Sequence, residues 1–306
     1  MQKENSFLGL TNPDSRSSDF ILTLALVLIA FMLLGNIPVL LASYKLGVYS
    51  IEGLTANMDL NLLFTFILFP FVIGILTLIG CNKYLQKMSF KSMFTSRERF
   101  DWKRFWFSFL IWGGLLGVFF VLSLVFGAPI EFQPNWAAFF VLAIVSFTLL
   151  PLQTTFEELF FRSFLFKAFG KTFNRGWATV FITGALFGLM HGANPEVEKI
   201  GSILLVFYIL NGVFLGLIVL MDEGLELSMG YHAVNNIYAA LIVTNDWQAF
   251  HTDALFIDKS PPAFGLENIL TLVLIQPLLL VVFSKKYGWK NWKGKLFTKL
   301  NAVTKD

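Results

Sequence analysis

Eight stretches of this chain are apolar over a length that can cross a bilayer, which needs about 20 residues of helix each. They fall at approximately 20–44, 59–81, 104–127, 137–156, 175–192, 201–221, 229–245 and 266–284. In lipid every backbone N–H and C=O must find a partner within the protein, so segments of this kind are helices. Composition agrees. The 306 residues are 56% hydrophobic and 14% charged, where a soluble domain carries roughly 25% charge. The expected fold is all-α: a polytopic membrane protein built as a bundle of about eight transmembrane helices. It is read as one membrane-embedded domain over 1–306, without a soluble domain, low-complexity segment or internal repeat. The 36 phenylalanines suit lipid-facing helix surfaces.

The distribution of Lys and Arg tests the count. With the N-terminus placed in the cytoplasm, two basic residues precede the first span and seven lie from Lys83 to Arg104. Four more lie from Arg162 to Arg175, and seven follow the last span. Only Lys45, Lys199 and Lys259 fall in outer loops. So strong a bias fits eight crossings with both termini cytoplasmic. The polar residues before the first span include acids and precede no small-residue cleavage site, so that span is read as retained rather than as a signal peptide. In the tail, Tyr287, Trp289 and Trp292 alternate with lysines, which suits lipid headgroups. Membrane lipids are the expected partner there, and nucleic acid is not. One cysteine, Cys81, excludes an internal disulfide and a cysteine metal cluster.

Glu157, Glu158 and Arg162 interrupt the apolar run. A charge at the bilayer centre costs about 2.5–3.5 kcal/mol on insertion scales, so ionisable groups there are functional candidates. On a helix Glu158 and Arg162 are four apart and share a face. Glu157 is turned about 100° away and is left over. A carboxylate in a poorly solvated cavity holds protons more tightly than in water, which suits a general base. A purely structural Glu158–Arg162 pair would leave Glu157 unexplained.

Gly184, Gly188 and Gly192 form a small-residue stripe that lets helices approach closely, and His191 adjoins it. His232 and Asn236 are four apart on the next-to-last span, while Asn235 points elsewhere and serves to bridge helices. His251 is read as a solvated loop residue beside Trp247 and Asp253. Asn36, Asn211 and Gln276 are read as structural, next to kinks and packing stripes. Depth raises one conflict. Measured from Lys167, Glu157 lies about 15 Å into the membrane, whereas His191 lies about 24 Å beyond Arg175.

Glu-Glu-x-x-x-Arg at 157–162, Phe-x-x-x-His at 187–191 and His-x-x-x-Asn at 232–236, in that order, resemble the CPBP family of CAAX-protease-like and bacteriocin-processing (Abi) intramembrane proteases. The resemblance covers about 150–240, within a family-like catalytic core at about 135–245. It implies an eight-helix bundle that hydrolyses a peptide bond of a membrane-associated protein or peptide. Glu157 would activate water with help from His191, Glu158 and Arg162 would support it, and His232 and Asn236 would hold the oxyanion. The family bears the name metalloprotease, so a divalent metal such as zinc has His191, His232 and Glu157 as candidate ligands. Asn236 is a poor zinc ligand, which favours metal-free glutamate chemistry. Two other readings compete: a transporter or proton relay, and a non-catalytic immunity or regulatory protein on the same fold. The expected location is a bacterial inner (cytoplasmic) membrane.

Overall fold

The computed structural model of the chain describes residues 6–9, 15–249 and 251–299. Among the described residues seven helices are long and apolar enough to cross a membrane: α1 (Ser17–Leu46), α2 (Leu60–Tyr84), α3 (Trp102–Val125), α4 (Trp136–Phe173), α5 (Gly176–Ala193), α6 (Ile203–Asp222) and, after them, α8 (Leu266–Tyr287). Between α6 and α8 lies α7 (Glu226–Leu241), 16 residues long. At 1.5 Å per residue α7 spans about 24 Å, less than the roughly 30 Å hydrocarbon core. It also carries Glu226, Ser228, His232, Asn235 and Asn236. The protein is thus a polytopic helical membrane protein in which the seventh expected span, at 229–245, is a short, polar helix enclosed by α3, α4 and α6.

Three local features shape these helices. In α1 the segment Ala30–Gly35 is π-helical, and the Asn36 side chain donates to the carbonyls of Phe31 and Met32 at 3.1 Å each. That satisfies acceptors freed where the helix is distorted. In α4 the segment Glu158–Leu165 is also π-helical. Third, α5 and α6 pack with their backbones in contact. A Cβ on Gly184 would lie 2.6 Å from the Val213 nitrogen, and one on Gly188 2.5 Å from the Ile209 nitrogen. The expected glycine stripe does its packing through Gly184 and Gly188. At Gly192 the nearest atom is Leu205 Cδ2, at 3.7 Å.

The connections alternate between two ends of the bundle. At one end, Arg97 pairs with Asp222 at 2.9 Å and with Glu226 at 3.0 Å. There Lys295 pairs with Glu223 at 2.6 Å, the Phe7 N–H donates to the Glu223 carboxylate, and Arg175 donates to the Phe297 carbonyl. At the other end, β1 (Ile130–Phe132), β2 (Val243–Thr244) and β3 (Phe256–Asp258) form a small sheet in the order β1-β3-β2. The β1–β3 pair is antiparallel and the β2–β3 pair parallel. Helix α7 therefore joins the two ends despite its length. The described segments of the four basic regions meet at the first end; Lys3 and Lys305 lie outside the described residues.

The depth conflict disappears in this geometry. Lys167 is 4% exposed and does not mark a membrane surface, because α4 continues to Phe173 and turns at Asn174 into α5. Counted from that turn, Glu158 and His191 are equally deep, about 24 Å along antiparallel neighbours. The phenylalanines do more than face lipid. Phe156, Phe160, Phe161, Phe164 and Phe166 are buried, and Phe156 stacks between Phe31 and Phe160 with centroids 5.3 and 5.6 Å away.

Candidate active site

The π segment of α4 buries all eight of its residues, among them Glu158 and Arg162, both fully enclosed. Such segments are rare, and they recur at functional sites. Arg162 Nη1 donates to Glu158 Oε1 at 3.2 Å, as the four-residue spacing predicts. The same oxygen also accepts from His232 Nδ1 at 2.9 Å. An ionised carboxylate only accepts, so Glu158 fixes Nδ1 as the protonated nitrogen of His232. The other ring nitrogen, Nε2, faces Glu157 Oε2 at 3.3 Å. That is ion-pair distance without hydrogen-bond alignment, and Glu157 Oε2 has no hydrogen-bond partner among the described residues. The imidazole thus stands between the two carboxylates, anchored to one and open to the other.

Glu157 is less free than its helical angle suggested. Its Oε1 accepts from Gln153 Nε2 at 2.6 Å, and Gln153 Oε1 accepts from Asn236 Nδ2 at 2.8 Å. Gln153 is 5% exposed and lies one turn before Glu157. Sequence reasoning passed over it, although a buried amide four residues from a catalytic candidate on the same helix face was a readable signal.

Phe187 joins the parts. Its ring carries the Arg162 guanidinium over one face at 4.0 Å. The rings of His191 and His232 lie 4.6 and 5.9 Å from it. This cation–π contact serves a guanidinium whose Nε and Nη2 lack hydrogen-bond partners. His191 ends α5. Its Nδ1 donates to the Phe187 carbonyl at 2.8 Å, which leaves Nε2 as the acceptor of the neutral ring. The ring stacks on Tyr208 at 4.4 Å, and the Tyr208 hydroxyl donates to the buried Glu196 at 2.7 Å. Neither Tyr208 nor Glu196 was singled out from sequence; only the close approach of α5 and α6 brings them to His191. Among the described residues no hydrogen bond or ion pair links His191 to Glu157 or His232, and Phe187 stands beside both imidazoles. His251 is exposed in the loop at the sheet end.

The proposed metal ligands do not form a donor set. No group of three or more His, Cys, Asp or Glu among the described residues is placed to hold a metal ion. His232 Nδ1 is committed to Glu158, and His191 stands apart from Glu157. Residues present therefore do not fit a three-ligand zinc site.

Residues 133–238 match the family model described as type II CAAX prenyl endopeptidase Rce1-like. That stretch, about a third of the chain, is similar to the Rce1-like family. Glu157, Glu158, Arg162, Phe187, His191, His232 and Asn236 all lie within it. The chain is also similar to the uncharacterized protein YyaK of Bacillus subtilis (strain 168), at 27% identity over 231 residues, covering 72% of this chain and 76% of YyaK. No solved structure matches it.

Proposed function

We propose that the protein is an intramembrane endopeptidase that hydrolyses a peptide bond of a membrane-associated protein or peptide with water activated by Glu157. The observation that carries this reading is the Glu157–His232–Glu158–Arg162 array. One imidazole is fixed by one buried carboxylate while a second carboxylate keeps an open oxygen beside it. Resemblance to the Rce1-like family, a family of intramembrane proteases, supports it.

In the reaction, water between Glu157 Oε2 and His232 Nε2 gives a proton to Glu157 while its oxygen attacks the scissile carbonyl carbon. The negative charge moves to the carbonyl oxygen, where the Asn236 amide N–H donates to it. Glu157 then delivers the proton to the amide nitrogen as the C–N bond breaks, leaving a carboxylic acid and an amine. His232 keeps its orientation through Glu158, which Arg162 in turn neutralises. His191 assists from the far side of the Phe187 ring, which both imidazoles adjoin. The basic end of the bundle faces the cytoplasm of a bacterial cell, with both termini on that side.

The test is cleavage of membrane peptides by the purified protein. Glu157→Gln is expected to lower turnover by about 10²–10⁴-fold, the usual share of a general base, with an unchanged melting midpoint. Wild-type cleavage is expected to persist after exhaustive chelation. A Glu157→Gln protein that cleaves normally refutes the assignment, and loss of activity on chelation with recovery on adding zinc refutes the metal-free step.

A further inference from the structure

Glu157 and Asn236 belong to a longer line of polar groups. Trp112 Nε1 donates to Asn235 Oδ1 at 3.2 Å, and Asn235 Nδ2 donates to Asn236 Oδ1 at 3.2 Å. Asn236 Nδ2 then donates to Gln153 Oε1 at 2.8 Å, and Gln153 Nε2 to Glu157 Oε1 at 2.6 Å. The two ends dictate the direction. An indole N–H can only donate and a carboxylate can only accept. Each of the three amides between them therefore has one orientation. Asn235, which the sequence suggested as a helix bridge, is the link that turns the Asn236 N–H rather than its carbonyl toward Gln153.

The last amide in this line stands where chemistry would happen. The Gln153 carboxamide is planar, with its carbonyl on the donor Asn236 and its nitrogen on the base Glu157. A peptide bond awaiting hydrolysis needs the same two contacts: a donor for the oxygen that becomes an oxyanion, and a proton source for the departing nitrogen. We propose that the Gln153 side chain occupies the scissile-amide subsite in the resting protein. A peptide amide binds by displacing it, on a donor aimed by Trp112 and Asn235. Gln153 is thus a substrate stand-in whose own carboxamide contacts set the geometry of the subsite. Its displacement is a cost that every substrate meets. The inference rests on the peptidase reading for its catalytic meaning, but the amide subsite itself can be probed by binding alone.

Gln153→Met keeps the side-chain volume and removes the amide. The probe is an acetylated hydrophobic tetrapeptide carboxamide, titrated calorimetrically into the detergent-solubilised protein and compared with turnover of a membrane peptide. In Gln153→Met the dissociation constant is expected to fall about three- to tenfold, with KM falling in parallel. Asn235→Leu is expected to do the opposite: kcat falls and KM stays, because Asn236 can then turn its carbonyl inward. If Gln153→Met leaves binding of the tetrapeptide carboxamide unchanged or weaker, Gln153 merely positions Glu157 and the proposal is overturned. Tighter binding in Gln153→Met by a protein that cleaves nothing, with or without Glu157, would sink the peptidase reading while leaving the amide subsite standing.

Discussion

Two clusters of buried charge can be compared within this one chain. At the basic end, Asp222 and Glu226 are buried, and every one of their carboxylate oxygens has a donor. Asp222 takes Trp289, Arg104 and Arg97; Glu226 takes Arg97 and the Asp101 N–H. The arginines there remain 18% and 23% exposed on their side chains, so water completes their shells. In the middle of the bundle, Glu157 Oε2, Glu158 Oε2, Arg162 Nε and Arg162 Nη2 are buried with no hydrogen-bond partner among the described residues. Buried polar groups normally find partners, and leaving them without is costly. The first cluster is closed and holds segments together. The second keeps bonding capacity in reserve, as a site must if it is to receive water and a substrate amide.

The sharpest way to break this distinction is to remove one charged partner from each. Arg162→Ala strands a carboxylate without its charge partner in a fully enclosed place, and breaking a buried pair in this way costs about 3–5 kcal/mol. It is expected to lower the melting midpoint in detergent and abolish cleavage together. Asp222→Ala removes an anion from partners that keep other contacts: Arg97 retains Glu226, and Arg104 retains Asp101. The expected cost is about 1–3 kcal/mol, with turnover per folded molecule unchanged. Loss of turnover in Asp222→Ala at an unchanged midpoint would show that the end cluster is not merely structural.

A middle-sized effect concerns the placement of His191. Gly188→Ala puts a methyl group 2.5 Å from the Ile209 nitrogen, a backbone atom that cannot swing aside. Overpacking of this kind costs about 1–3 kcal/mol. Because α5 must move away from α6, the His191–Tyr208 stack should loosen and turnover should fall further than stability does. Gly192→Ala, with its nearest neighbour at 3.7 Å, is the control expected to change little. Equal behaviour of the two variants in melting and cleavage would remove the packing argument.

These contrasts also show why parts of the site could be read in advance and others could not. Glu158 and Arg162 pair because four residues of helix separate them, and one-dimensional spacing contains that fact. The helical fold is equally local, since apolar length alone demands it. The short α7 differs. Its apolar length reads as a span, and only the packing of α3, α4 and α6 around it accounts for its polar face. The position of His232 between the two carboxylates depends on the angle between α4 and α7, and Tyr208 reaches His191 only because Gly184 and Gly188 let α6 come up against α5. Lys167 misled the depth estimate for the same reason. A lysine usually marks an interface, but here its amine donates to the Ser92 carbonyl and to Ser163 Oγ inside the bundle.

The smallest expected effect tests the outer shell of His191. Tyr208→Phe keeps the ring that stacks on the imidazole and deletes only the hydroxyl that donates to Glu196. Glu196 would still accept from the Asn194 side chain at 2.9 Å and from the Ala249 N–H at 2.9 Å. A hydrogen bond to a charged group is worth about 1.5–3 kcal/mol, and the two remaining donors to Glu196 offset part of its loss. If the Tyr208 hydroxyl holds the stack in place, kcat should fall a few-fold with KM unchanged, and Tyr208→Leu, which removes the ring as well, should fall further. Should Tyr208→Phe and Tyr208→Leu cleave equally well, His191 is held by the Phe187 carbonyl alone. The reserve of bonding capacity that marks the site would then end at Phe187 rather than extend to α6.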